Sequence, residues 1–228
     1  APGTGWNACD VWAPEMWYLR GKWYIYYAAS TAVGVENWQN HRMGVLEAEN
    51  PMGPYVDKGK LELGEHMAID GTVLETDSGE LYMIYMRRNH PTSKLRLYIA
   101  PMDSPWHISG ESQLLSEPEH PWEGTINEGP IPVNRNGRLR VLYSANSAGS
   151  PDYCLAALCC EDPARILDRS AWKKIPYPLF KGNDSIIGPG HASITTSPDG
   201  TEDWLVFHSK SNLEGIWPEC WNRVVNIQ

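Results

Sequence analysis

Short apolar stretches with a two-residue period recur along the chain, separated by turns that contain glycine. Residues 81–86 (LYMIYM) and 138–144 (RLRVLYS) have strand spacing, with Val, Ile, Tyr and Trp elsewhere supplying β propensity. The turns DSG (77–79), RNG (135–137) and PDG (198–200) are hairpin signals. Four segments share one design: a polar residue, a short strand, a turn, then a second strand rich in aromatic or branched residues. They begin at Ala13, Ile69, Asn127 and Gly188. Residues 41–48 (HRMGVLEA), 94–102 (KLRLYIAPM) and 153–160 (YCLAALCC) supply further strands. Helical periodicity is nearly absent, and residues 163–172 (PARILDRSAW) are the best, short, helical candidate.

The polar residues that open the four segments are Glu15, Asp70, Glu128 and His191, separated by 55, 58 and 63 residues. That period is longer than a solenoid repeat and suits a four-stranded propeller blade with its loops. The expectation is an all-β chain, one domain over residues 1–228, built as a β-propeller with about four blades. The first strand of each blade lines the central channel. The four polar residues are therefore expected at equivalent positions, converging on one funnel. Acids gathered in this way divide acid and base work, because their surroundings push their pKa values apart. The plain alternative for any one of them is a loop cap.

Composition narrows the choice of function. The aromatic set holds 11 Trp and 11 Tyr against 2 Phe, residues that serve both core packing and sugar stacking. A net charge of −9 argues against nucleic acid or an anionic membrane as partner. No apolar run is long enough to span a bilayer. The first ten residues have neither the basic start nor the apolar core of a signal peptide. The five cysteines show no paired zinc-site spacing, and an odd count leaves at least one outside any internal disulfide.

The motifs VWAPEMWYLRGKWYIYYAAS, NHRMGVLEAENPMGPY, AIDGTVLE, INEGPIPV, PDYCLAAL, GPGHASITTSPDGTEDWLVFHS and RVVNIQ run through most of the chain. Together they resemble glycoside hydrolase family 43, five-bladed β-propeller enzymes acting on arabinose- and xylose-containing polysaccharides. The subgroup most resembled includes exo-acting α-L-arabinofuranosidases. The resemblance implies Glu128 of NEGP as general acid and Asp70 of IDGT as the residue that orients it and adjusts its pKa. It implies His191 of GPGH near the channel axis, close to an ordered water or a structural calcium, with no other cofactor required. One imidazole cannot hold calcium alone, so waters would complete the shell. The family's general base, an aspartate at the start of the first blade, has no counterpart here. Asp10 lies beside the first recognisable motif and is not promoted to that role. The resemblance thus implies that the segments match blades two to five, with one N-terminal blade lacking. Open sheet edges would then favour self-association. Ala192 stands where asparagine is expected after GPGH.

The expected reaction is inverting hydrolysis of α-L-arabinofuranosyl linkages in arabinan or arabinoxylan by an extracellular, secreted protein. Inversion requires two carboxyl groups ~6.5–9.5 Å apart with water between them. Trp12, Glu15 and Arg42 are the substrate-binding candidates: Trp12 as a stacking wall, Arg42 as a partner for a central carboxylate. Trp17 alternates into its strand and reads as blade core. Alternative readings are β-xylosidase-type specificity, a sugar-binding propeller without catalysis, and a protein-binding scaffold. The scaffold has no reason to gather acids on an axis.

Overall fold

The computed structural model describes residues 5–210 and 220–227, the latter stretch by its backbone alone. The chain begins with four strands: β1 (Cys9–Leu19), β2 (Lys22–Ser30), β3 (Arg42–Ala48) and β4 (Val56–Lys60). They pair in chain order as an antiparallel sheet. The next sheet holds β5 (Met67–Glu75), β6 (Leu81–Arg88), β7 (Arg96–Ser104) and β8 (His107–Ile108), with β9 (Gln113–Ser116) also paired to β7. A third holds β10 (Asn127–Arg135), β11 (Arg138–Ala145), β12 (Cys154–Cys160) and β13 (Trp172–Lys174). The last contains β14 (Ile187–Thr196), β15 (Asp203–Lys210) and β16 (Cys220–Ile227). These are propeller blades, each an up-and-down meander, as the repeat period predicts.

One local device repeats in the first strand of every blade. The register slips by one residue between Trp12 and Glu15, Ile69 and Thr72, Glu128 and Ile131, and Gly190 and Ser193. Each slip is a β-bulge, two residues facing one across the ladder. The facing residue is Tyr27, Tyr85, Tyr143 or Phe207, all buried. These aromatics recur every 58 to 64 residues and are the structural repeat unit of the core. The tyrosine hydroxyls are all satisfied: Tyr27 accepts from Asn7 Nδ2 at 2.9 Å, while Tyr85 donates to Ser112 Oγ and Tyr143 to Glu123 Oε1. Phe207 has no hydroxyl and packs edge-on against Phe180.

The bulges correct the expectation that the four polar residues are equivalent. The first bulge residues are Ala13, Asp70, Gly129 and His191, with φ of 41°, 55°, 51° and 42°. Asp70 and His191 thus share a position. Glu128 lies one residue before its bulge, in the slot of Trp12, and Glu15 lies one residue beyond its own, in the slot of Thr72. Of these four first bulge residues, only Gly129 has no Cβ. Asp70 and His191 hold the left-handed backbone with full side chains, the kind of strain that tertiary structure maintains at functional sites.

The strands anticipated over 41–48, 94–102 and 153–160 form as β3, β7 and β12. Residues 163–172 give two 3₁₀ turns, Pro163–Arg165 and Arg169–Ala171, rather than one helix. Asp162 and Asp168 cap them, accepting from Ala164 N and Ser170 N. The second cap falls inside the candidate helix and breaks it, because an aspartate bonded to the backbone two residues ahead competes with helix. Cys9, Cys154, Cys159 and Cys160 are free thiols. No helix among the described residues is long and apolar enough to cross a membrane.

Candidate active site

The bulges re-aim the first-strand side chains toward one another. Gly129 N–H donates to Asp70 Oδ2 at 3.1 Å, which ties the second blade to the third one residue from Glu128. A Cβ on Gly129 would stand 3.3 Å from His191 Nδ1 and 3.4 Å from Ser144 Oγ, so glycine serves there for space as well as for backbone sign. His191 N–H in turn donates to Ser144 Oγ at 2.7 Å. Three blades are thereby stitched together at the acid cluster.

Electrostatics moves two of the acids away from the ordinary carboxylate range. The Glu128 carboxyl is pushed up to about 7, first by burial and then by the negative charge of Asp70. His191, a hydrogen bond from Tyr153 OH to Oε1 at 2.8 Å, and Arg88 pull the other way without prevailing. Glu15 is also raised to about 7, chiefly by burial, with His191 opposing and Asp70 adding to the rise. Both are therefore partly protonated at neutral pH, ready to donate a proton or a hydrogen bond.

The other candidates sort as follows. Trp12 is half-buried and lays one face on His41, ring centroids 3.8 Å apart, with the edge of Trp38 at 5.6 Å. His41 is fully buried and is held between the carbonyls of Trp38 and Asp10, so the Trp12 ring has a rigid backing. Trp17 donates from Nε1 to Thr72 Oγ1 at 3.1 Å and packs on the core, as its strand alternation suggests.

Arg42 does not pair with a central acid, contrary to expectation. Its guanidinium donates to the carbonyls of Gln39, His41 and Glu65, and its ion-pair partner is the exposed Glu65 carboxylate at 3.7 Å. The reason is strand rank: Arg42 opens the third strand of its blade, away from the channel. The arginine beside Glu128 is Arg88, at the end of a second strand. Its Nε is buried without a hydrogen-bond partner among the described residues. The signal available in sequence was its place at the close of LYMIYMRR, directly across from the start of the Asp70 strand.

His191 offers a single imidazole. No group of three or more His, Cys, Asp or Glu side chains among the described residues is arranged to hold a metal ion. The donor set does not fit a hard, oxygen-seeking cation such as calcium. Ala192 is buried with Ile131, Leu155, Leu205 and Phe207, so the expected asparagine is replaced by apolar packing between blades.

Sequence reading missed two groups. Tyr153 carries the hydrogen bond to Glu128. Glu123 is fully buried under the site, with its carboxylate receiving Lys174 Nζ at 2.8 and 3.1 Å, Asn127 Nδ2, Tyr143 OH and two backbone amides. Asn127, adjacent to Glu128, is thus anchored from below.

A raised carboxyl beside a second acid, brought together from the first strands of two blades, is the equipment of acid-assisted glycosidic bond cleavage. The chain belongs to glycosyl hydrolases family 43, whose model matches residues 2–228. It is 35% identical over 221 residues to an extracellular exo-alpha-(1->5)-L-arabinofuranosidase of Streptomyces chartreusis, across 92% of this chain and 66% of that protein. It is 35% identical to alpha-L-arabinofuranosidase 43 of Humicola insolens, across 88% of this chain and 43% of that protein. The chain thus spans just under two thirds of the first relative and less than half of the second. The crystal structure of an alpha-L-arabinofuranosidase from Lactobacillus brevis superposes with a TM-score of 0.88 at 33% identity, covering 96% of this chain and 73% of that one.

Proposed function

We propose that this chain cleaves α-L-arabinofuranosyl linkages of arabinan or arabinoxylan, outside the cell, by an inverting acid/base mechanism. The observation that carries the reading is Glu128: a carboxyl one residue from the hydrogen bond that joins Gly129 to Asp70, raised to about 7 by burial and by Asp70. The names of the relatives supply the sugar. Glu128 protonates the departing glycosidic oxygen, and Asp70 keeps that proton in place until it is needed. Trp12 offers the sugar a stacking face, and Glu15 a carboxyl that donates to or accepts from a hydroxyl. The general base is not assigned to any residue.

The test is hydrolysis of a chromogenic α-L-arabinofuranoside beside the matching β-xyloside, followed by proton NMR. Release of the β-anomer of arabinofuranose before mutarotation supports the proposal. Retention of the α-anomer, or turnover of the xyloside alone, refutes it.

The pH dependence follows from the same geometry. The acid form of Glu128 is lost as pH rises through about 7, so kcat/KM falls above that value. In Asp70→Asn the neighbouring negative charge is gone, the Glu128 pKa drops, and the alkaline limb moves to lower pH. A pH–rate profile measures this directly. An alkaline limb that stays in place would show that the charge of Asp70 does not set it.

A further inference from the structure

We propose that Tyr153 is a positioning residue for Glu128, whose phenol holds one carboxyl oxygen as an acceptor and leaves the other to carry the acidic proton. This rests on Glu128 being the acid. The Tyr153 hydroxyl donates to Glu128 Oε1 at 2.8 Å. An ionised carboxylate can only accept, so the phenol is the donor in that state. Oε1 is then committed as an acceptor, and the proton that Glu128 takes up and delivers resides on Oε2. The strand behind Glu128 is fixed as well: Ser144 lies directly across the ladder from it, is fully buried, and accepts from His191 N–H at 2.7 Å.

The surroundings hold Tyr153 for this task. Its ring is fully buried and stacks on His208 at 5.6 Å. It occupies the space that a side chain at position 190 would need: a Cβ on Gly190 would stand 2.0 Å from Tyr153 Cε1. Lys210 Nζ donates to the carbonyls of Ala148 and Ser150 and secures the loop that carries Tyr153. Burial and the charge of Glu128 hold the phenol far above its ordinary pKa, so it remains a donor throughout the working range. The other charged or titratable groups facing this pair are Asp70 on β5, Arg88 on β6, His191 on β14 and His208 on β15. Burial, His191 and Lys210 lower His208 to about 4, which keeps it neutral.

The experiment is a carbon-13 NMR titration of the Glu128 carboxyl in the parent chain, in Tyr153→Phe and in the protein carrying 3-fluorotyrosine at position 153, with pH–rate profiles alongside. Phenylalanine keeps the stack and removes only the donor. The Glu128 midpoint is expected to rise by ~1–2 units in Tyr153→Phe, the worth of a hydrogen bond to a charged group. Fluorination makes the phenol a stronger donor, and the midpoint falls. In Tyr153→Phe, kcat falls on substrates with poor leaving groups while KM holds. An unchanged midpoint in Tyr153→Phe overturns the proposal; if that variant does not fold, an unchanged midpoint with 3-fluorotyrosine does so. A midpoint that rises without any leaving-group dependence in Glu128→Gln upholds the hydrogen bond from Tyr153 and removes Glu128 as the acid, so the two ideas fail separately.

Discussion

Glu128→Gln loses turnover by ~10²–10⁴ on arabino-oligosaccharides, the usual contribution of a positioned general acid. Glutamine keeps the shape of the side chain and has no proton to give. The loss must depend on the leaving group. An alkoxide departs only with help, whereas an activated aryl oxide departs almost unaided, so the chromogenic glycoside retains most of its rate. Steady-state kinetics on both substrates measures the difference. Equal losses on the two would mean that Glu128 holds the sugar and does not protonate it. Because Tyr153 OH still finds a carbonyl oxygen at position 128, the variant preserves the hydrogen bond that places the side chain.

Glu123→Ala destabilises the fold by ~3–5 kcal/mol, because it strands a buried cation. Lys174 is 8% exposed in its side chain and Glu123 is 0% exposed, so neither charge has water as a substitute. Asn127 and Tyr143 lose a partner at the same time. For a chain of this length that cost corresponds to a fall in Tm of roughly 6–20 °C, measurable by calorimetry. A Glu123→Leu, Lys174→Met pair recovers much of it, because the buried charge is removed together with its partner. Acid should act in the same direction as the single substitution. Burial raises the Glu123 carboxyl, but Lys174, the amides of Glu119 and His120, and Asn127 outweigh it and hold it below its ordinary value. A depressed carboxyl contributes stability that is present above the unfolded value near ~4.3 and is lost as pH falls through the folded one. Parent and variant should therefore converge in stability toward strong acid. A gap that persists there would show that packing, and not the ion pair, carries the effect.

The sequence by itself determined the blades. Period-two strands, hairpin turns and a repeat near 60 residues are local properties, set by how a pleated backbone faces side chains alternately and by which residues turn it. They placed β3, β7 and β12 correctly and identified the IDGT, NEGP and GPGH motifs as the polar openings of successive blades.

What remained was decided in three dimensions. The bulges that offset Glu15 and Glu128 from Asp70 and His191 are register events, legible only once two strands are paired. Arg42 and Arg88 look alike in sequence. Only strand rank sends one to the carbonyls of an outer loop and the other beside the acid. Tyr153 lies 25 residues from Glu128, and Glu123 lies 51 from Lys174, so neither pairing leaves a local pattern. The charge state of the site is the clearest case. A glutamate in NEGP is an ordinary acid in an open chain. Its carboxyl is pushed up to about 7 because folding strips its water and sets Asp70 beside it, and both are contributions that tertiary structure alone supplies.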